Sequence, residues 1–102
     1  MLHIADNFVV DKNSRMLPIR NFETTPELLK TFMDAEGWHS YIQNKKAAKI
    51  LSRSLGTHIK VNKTPFDLDK INPDEDSLVL FKVDKIEDTL LVRFFVVQFA
   101  KF

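Results

Sequence analysis

The sequence contains no cysteine, and glycine occurs only twice among its 102 residues. Without cysteine the chain has no disulfide, no thiolate metal site and no cysteine nucleophile. With two glycines it has no glycine-rich loop of the kind that cradles phosphate. No apolar run approaches the length of a membrane span, and none follows a basic start as in a signal peptide. We therefore expect a cytoplasmic protein that does not associate with membranes.

The residues that bind metals in other proteins lack the required spacing here. His3, His39 and His58 show no ligand spacing with one another or with a carboxylate. The acidic segment 67–76 lacks the central glycine of a calcium loop, and position twelve counted from Asp67 is Leu78. We predict no metal site and no cofactor. The serines lie in no nucleophile-elbow sequence, so serine catalysis has no support either.

The residues that are present indicate one small globular domain, which we place at residues 1–102. Hydrophobic residues make up 44%, and nine Phe supply bulky side chains for a core. The formal net charge of +1 argues against a protein dedicated to duplex DNA. Residues 1–65 hold ten Lys/Arg and six Asp/Glu, whereas residues 66–102 hold five and eight. This distribution favours a moderately basic pocket in the first two thirds of the chain.

Hydrophobic periodicity and turn residues predict an α+β fold, a mixed sheet of about five strands with two helices. Thr24, Pro26 and Glu27 have the spacing of a capped helix start. Asn44 and Gly56 bound a second helix. The last two apolar runs predict a hairpin at the centre of the sheet, with the first of its strands buried on both faces. The candidate strands are 2–5, 16–22, 38–42, 57–61, 66–68, 78–83 and 90–99.

The second predicted helix is basic along its whole length. It holds Lys45, Lys46, Lys49 and Arg53 and no acidic residue. Two of these lysines fall in the first turn, where unpaired amides and the helix dipole favour an anion instead. One interpretation is a solvated helix face, and the other is a phosphate site.

In the second interpretation, side chains near the helix start converge on one anion. Asn44 lies at the start of the helix, and Asn62 and Lys63 follow the next predicted strand. Amides and ammonium groups in one hollow suit phosphate. Phe8 or Trp38 would supply a stacking face for a base.

Three patches of the sequence, within residues 2–83, are similar to the sequence motifs of one protein family. Residues 4–8 (IADNF) and the later Met16-Leu17 are similar to an opening "L-A-N-A-F-S … M-L". Residues 40–56 align without a gap to a strand, a "G-H-x-S-T-A" turn and a helix ending in "L-G". Residues 59–63 are similar to "I-x-V-N-R", and residues 68–83 to "L-x-x-G-D-x-L-x-V". In these patches the chain resembles the viral ring nucleases, type III anti-CRISPR proteins of archaeal viruses, phages and mobile elements that degrade cyclic tetra-adenylate.

The resemblance implies a homodimer with its ligand bound across the interface, in the cytoplasm of a host cell. The alignment departs from the family at the residues that catalyse. Asn44 stands at the position of the catalytic histidine and Gln43 at that of a glycine, while Lys45 and Lys46 replace an acidic or polar residue and a serine. The family's C-terminal helical segment, with its Arg and catalytic Glu, has no counterpart. An amide does not exchange protons near neutral pH as imidazole does, so the resemblance implies phosphate binding without cleavage.

The leading hypothesis is therefore a phage or viral anti-defence protein that sequesters a cyclic oligonucleotide or a related phosphate-bearing signal. Two alternatives stay open. One is a surviving, metal-independent ring nuclease in which His39 serves as catalyst through an insertion in the turn. The other is a protein-interaction module that inhibits a host or CRISPR effector protein. The predicted ligand-binding residues are Asn7, Asn44, Lys45, Lys46, Asn62 and Lys63.

Overall fold

The structure is a computed structural model that describes residues 1–102. The chain forms two α-helices and seven strands, with one short 3-10 helix at Leu68–Lys70. Neither helix is both long and apolar enough to cross a membrane. The elements in order are β1 (Leu2–Ala5), β2 (Phe8–Val9), β3 (Met16–Thr24), α1 (Pro26–Glu36), β4 (Trp38–Tyr41), α2 (Lys45–Leu55), β5 (Phe66–Asp67), β6 (Ser77–Ile86) and β7 (Thr89–Lys101).

Five of the strands form one mixed sheet in the order β3-β7-β6-β1-β4. β1 runs parallel to both β4 and β6, whereas β7 pairs antiparallel with β6 and with β3. β2 and β5 form a separate parallel pair of two residues each. The predicted α+β class, the mixed five-stranded sheet, the two helices and the central hairpin are confirmed.

The sheet separates two apolar cores, because successive strand residues point to opposite faces. Leu2 and Ile4 of β1 pack on the helix side, where Leu29 of α1 and Leu51 of α2 are fully buried. Ala5 packs on the other side, against the segment that leads from β5 into β6. β1 is buried on both faces, so its carboxyl end is held firmly where the chain leaves the sheet.

The two helices begin at side-chain caps. Asn44 caps α2 as predicted, since its Oδ1 accepts from the amide of Ala47 at 3.0 Å, and Gly56 ends that helix with a φ of 64°. The cap of α1 is Thr25 and not Thr24, because Thr24 is still paired with Phe94 in the sheet. The Thr25 hydroxyl accepts from the amide of Leu28.

The predicted strand at 57–61 is wrong, since only a single bridge joins Ile42 to Val61. Along this edge of β4, hydrogen bonds from side chains replace the backbone hydrogen bonds that a paired strand would make. The Ser40 hydroxyl donates to the Lys60 carbonyl at 2.7 Å, and Asn62 Nδ2 donates to the Ser40 carbonyl at 3.2 Å. Because side chains satisfy these groups, the alternating residues run beside the sheet without joining it.

The β6–β7 hairpin extends past both neighbouring strands. β1 pairs with β6 only as far as Val79, and β3 pairs with β7 only from Phe94 onward. Residues 80–93 therefore form a two-stranded arm whose outer edges are unpaired. The prediction that β6 is buried on both faces holds only for Leu78 and Val79, before the arm begins.

Candidate functional site

The start of α2 is tied to the end of β1 by a carboxylate. Asp6 directly follows β1, and its Oδ2 accepts from the amides of Gln43 at 3.0 Å and Asn44 at 2.9 Å. A carboxylate is the group that the helix dipole favours there. These amides are occupied within the chain, so the amides left for a bound anion are those of Lys45 and Lys46, in the first turn.

An open cleft of about 770 Å³ lies beside this helix start, between α2 and the inner face of the hairpin arm. We refer to it as the entrance cleft. Asp6, Asn7, Asn44 and Lys46 form its polar side, and Ile50, Phe81 and Val83 form its apolar side. Three of the six predicted ligand-binding residues, Asn7, Asn44 and Lys46, are thereby brought to one cavity.

The two asparagines of the cleft keep their donor groups free. Asn7 Oδ1 accepts from the amide of Phe8 at 2.9 Å, and Asn44 Oδ1 accepts from the amide of Ala47. Their oxygens are used by the backbone, whereas neither Nδ2 donates to any group of the chain. Together with the Lys46 ammonium, the cleft presents amide and ammonium donors, which suit an anion.

The other three predicted residues lie elsewhere around the helix start. Lys45 lines a hollow on the opposite flank of α2. Asn62 supports the backbone, since its Nδ2 donates to Ser40 and its Oδ1 accepts from the amide of Thr64 at 3.0 Å. The carbonyl of Lys63 accepts from Gln43 Nε2 at 3.1 Å, which holds residue 63 close to the helix start without placing its ammonium in the cleft.

His39, the candidate catalyst, is not among the residues that line the entrance cleft. It is exposed and lines a separate hollow of about 440 Å³ with Trp38, Ser40 and Asn62. Trp38 therefore offers no stacking face to the cleft, and Phe8 lies outside it as well. The aromatic side chain that does line the cleft is Phe81 of β6.

Sequence reasoning missed Asp6 and Phe81 as site residues. Asp6 had a usable signal, because the carboxyl ends of the parallel strands β1 and β4 meet at one edge of the sheet, where α2 also begins. Phe81 had none, since an aromatic residue within an apolar strand is normally assigned to the core. Its partly buried ring is available because β6 extends past β1 into the arm.

The groups with shifted pKa lie on the other face of the sheet. Burial lowers the pKa of His3, although the Asp76 carboxylate 3.3 Å from its Nε2 acts in the opposite direction. The pKa of Asp76 is also lowered. Partial burial would raise it, but the hydrogen bond from the Asn72 amide, the His3 ring and the N-terminal ammonium together outweigh that influence. These residues do not line the cleft.

The comparison with solved structures finds the same fold in a viral protein. B116 of Sulfolobus turreted icosahedral virus (STIV) matches with a TM-score of 0.63, over 95% of this chain and 97% of that chain. No protein-family model matches the chain, and no curated protein does. The two sequences are 11% identical, so the similarity between this chain and B116 concerns the fold.

Proposed function

We propose that this is a phage or viral anti-defence protein that binds a cyclic oligonucleotide, or a related phosphate-bearing signal, and withholds it without cleaving it. The observation that carries the proposal is the entrance cleft. It joins the donors of Asn7, Asn44 and Lys46 to the apolar wall of Ile50 and Phe81. Its volume of about 770 Å³ lies within the range of small-molecule sites, roughly 300–1,000 Å³.

The two sides of the cleft suit the two parts of a nucleotide. A phosphate would accept from the Asn7 and Asn44 Nδ2 groups and pair with the Lys46 ammonium. A base would pack against Phe81, and stacking on an aromatic ring is tolerant of base identity. The Asp6 carboxylate would contribute indirectly, because it fixes the backbone of residues 43 and 44.

Binding without cleavage fits the chemistry of the groups that line the cleft. The amide side chains and the ammonium would hold a phosphodiester but do not exchange protons near neutral pH as imidazole does, and the Asp6 carboxylate already accepts from two backbone amides. A protein that sequesters a signal acts by mass action, so it needs high abundance and tight affinity. Mixing the protein with labelled cyclic tetra-adenylate and separating the products by chromatography tests this point. Linear product that disappears in His39→Ala would establish the ring-nuclease alternative.

Calorimetric titration with a panel of cyclic oligonucleotides tests the binding itself. We expect one ligand to bind, and Lys46→Ala to weaken it in a salt-dependent way. Lys12→Ala is the matched control, because it removes the same charge from an exposed loop that does not line the cleft. The absence of any binding tighter than about 1 mM, roughly −4 kcal/mol, would overturn the proposal.

The hairpin arm favours a second candidate, a protein-interaction module that blocks a host or CRISPR effector protein. Its two unpaired edges are templates for strand addition, and Ile86, Leu90 and Leu91 expose about half of their surface near its end. A pull-down from host lysate with wild type and with Ile86→Ser/Leu91→Ser tests it. Specific retention of one partner that the double variant loses would support this candidate, and no retention would count against it.

We also propose that the protein is a homodimer. One edge of the sheet, β4, is covered by residues 57–62, whereas β3 at the other edge is open. β3 exposes Leu17, Ile19 and Phe22, and its register with β7 shifts between Pro18 and Arg20. Sedimentation at several concentrations should show a dimer that Phe22→Lys weakens. A monomer at all concentrations would remove this proposal.

A further inference from the structure

A second hollow, of about 820 Å³, lies on the flank of α2 that faces away from the entrance cleft. We refer to it as the basic hollow. Lys45, Lys46 and Lys49 of α2 line one side, and His58 lines the side formed by the segment after the helix. Ala48 and Ile59 form its floor. Lys46 lines both cavities, but the other basic groups belong to this hollow and not to the cleft.

No acidic side chain lines the basic hollow, although Asp88 lines a neighbouring hollow together with Lys46 and Lys49. Residues 37–66 contain six Lys/Arg and no Asp or Glu. The five ion pairs of the chain involve none of the side chains that line the basic hollow. The entrance cleft differs in this respect, because the Asp6 carboxylate lies on its wall and already bonds to the adjacent amides.

The arrangement is unfavourable for the free protein. Lys45 and Lys49 are four residues apart and therefore neighbours on the helix surface, where like charges destabilise the helix. Lys49 and Arg53 repeat the same spacing. Lys45 and Lys46 also stand in the first turn, where the dipole disfavours cations. A polyanion bound in the hollow would relieve the repulsion between Lys45 and Lys49 and the unfavourable charge in the first turn, whereas solvent and salt only screen them.

We propose that the basic hollow is a second anion site, separate from the entrance cleft, and that it takes a ligand with two or more linked phosphate groups. The ammonium groups of Lys45 and Lys49 alone match the charge of one phosphate, about −2 at most, and Lys46, which also lines the cleft, adds a third. Linked phosphates extend along the helix and reach Lys45 and Lys49 together. Ser52 does not contribute its hydroxyl, which donates to the Ala48 carbonyl and accepts from the Ile59 amide.

Inorganic tripolyphosphate is the probe, with orthophosphate for comparison. In a titration of the ¹⁵N-labelled protein followed by NMR, we expect tripolyphosphate to shift the amides of Ser52, His58 and Ile59. Lys45→Gln/Lys49→Gln should weaken binding by about tenfold or more, because two charge-assisted contacts are lost. The control Lys12→Gln/Lys70→Gln removes the same total charge from two exposed residues outside any ion pair.

Three results would overturn the inference. The first is a titration in which only cleft amides, such as those of Asn7 and Phe81, respond to tripolyphosphate. The second is an equal loss of affinity in the two double variants, and the third is orthophosphate binding as tightly as tripolyphosphate. Asn7→Asp separates the inference from the proposed function. It places a carboxylate in the cleft alone, so it should abolish binding of the cyclic oligonucleotide while tripolyphosphate still binds.

Discussion

The two helices of this domain are alike in size and in packing but opposite in surface charge. Each has eleven residues, and each is capped by a side-chain oxygen, from Thr25 in α1 and from Asn44 in α2. Each also inserts one fully buried leucine into the same core, Leu29 from α1 and Leu51 from α2. The positions that face the core therefore follow the same rules in both helices, and only the outer positions differ.

The charges in the first turns of α1 suit an isolated helix. Glu27 stands in the first turn, where the dipole favours an acid, and Lys30 pairs with Asp34 at 2.8 Å. In α2 the first turn holds Lys45 and Lys46, no acid follows, and only Arg53 in the last turn is favourably placed. The two outer faces therefore differ in how well their charges suit the helix that carries them.

Core substitutions test whether the two helices pack alike, and we expect them to change the free energy of unfolding more than any other substitution proposed for this protein. Leu29→Ala and Leu51→Ala each remove a side chain with no exposed surface from the core on the helix side. We expect each to lower the free energy of unfolding by about 2–5 kcal/mol, measured by denaturant titration. A much smaller loss for Leu51→Ala would mean that α2 is held mainly by its polar contacts and that the two helices do not pack alike.

A substitution at Asn44 tests whether the residue that caps α2 also contacts the ligand. Asn44→Asp keeps an oxygen to cap the helix but replaces the free Nδ2 donor by a negative charge in the cleft. We expect affinity for the cyclic oligonucleotide to fall by about ten- to a hundredfold, equivalent to 1.4–2.8 kcal/mol. Calorimetry on Asn44→Asp and on the neutral cap variant Asn44→Ser measures this.

The two Asn44 variants distinguish the effect of a negative charge in the cleft from the effect of losing the Nδ2 donor. Asn44→Ser also retains a cap, so it should lose less affinity than Asn44→Asp while unfolding at a similar temperature. Equal affinity in wild type and Asn44→Asp would show that the ligand does not contact this helix start. The proposed function would then lose its central residue.

The acid sensitivity of the protein should come from the face of the sheet opposite both helices. Because the pKa of His3 is lowered in the fold, the unfolded chain binds a proton first as pH falls. The stability that His3 contributes is complete above about pH 6.5, which is its pKa in the unfolded chain, and it is lost as the pH falls below that value. Because the pKa of Asp76 is also lowered, the protein loses further stability as the pH falls below 3.8.

Denaturant titration across pH measures this dependence. His3→Phe keeps a ring against Phe66, whose centroid lies 5.1 Å from that of His3. We expect the variant to lose the decline in stability just below pH 6.5 and to keep a reduced decline below pH 3.8, because the Asn72 amide still lowers the pKa of Asp76 after the His3 ring is removed. An unchanged profile in His3→Phe would assign the acid sensitivity to another group.

Local signals in the sequence were sufficient for the parts of the fold that local interactions decide. Asn44 and Gly56 bound α2 because capping and left-handed conformation depend on one or two residues. The segment 57–61 alternates as a strand does, yet the long-range bonds of Ser40 and Asn62 keep it out of the sheet. The alternation of residues does not indicate where side-chain hydrogen bonds will replace backbone pairing, because those bonds join residues about twenty positions apart.

The candidate site was predictable to the extent that it lies on one helix. Asn44 and Lys46 were found from the α2 pattern, and both line the cleft. The sequence predicts Asn62 as a ligand contact because it follows an expected strand, but its side chain supports the backbone instead. Phe81 depends on how far β6 extends past β1, a property of the register and not of the local sequence.

Replacing a lysine by glutamate should act with opposite signs in the two helices, although each change in stability is small. Lys45→Glu places an acid in the first turn of α2, worth about 0.3–1 kcal/mol, and adds a Glu–Lys pair with Lys49 worth about 0.2–0.5 kcal/mol. Lys30→Glu in α1 breaks the pair with Asp34 and creates a like-charge pair of similar size.

Denaturant titration of Lys45→Glu and Lys30→Glu should therefore show a gain in stability for the first and a loss for the second. Both substitutions change the net charge by the same amount, so a general charge effect would move them in the same direction. The gain in Lys45→Glu should be accompanied by weaker tripolyphosphate binding, since Lys45 lines the basic hollow. A loss of stability in Lys45→Glu would mean that its ammonium already stabilises the free fold, and the unfavourable charge of α2 would no longer require a ligand to explain it.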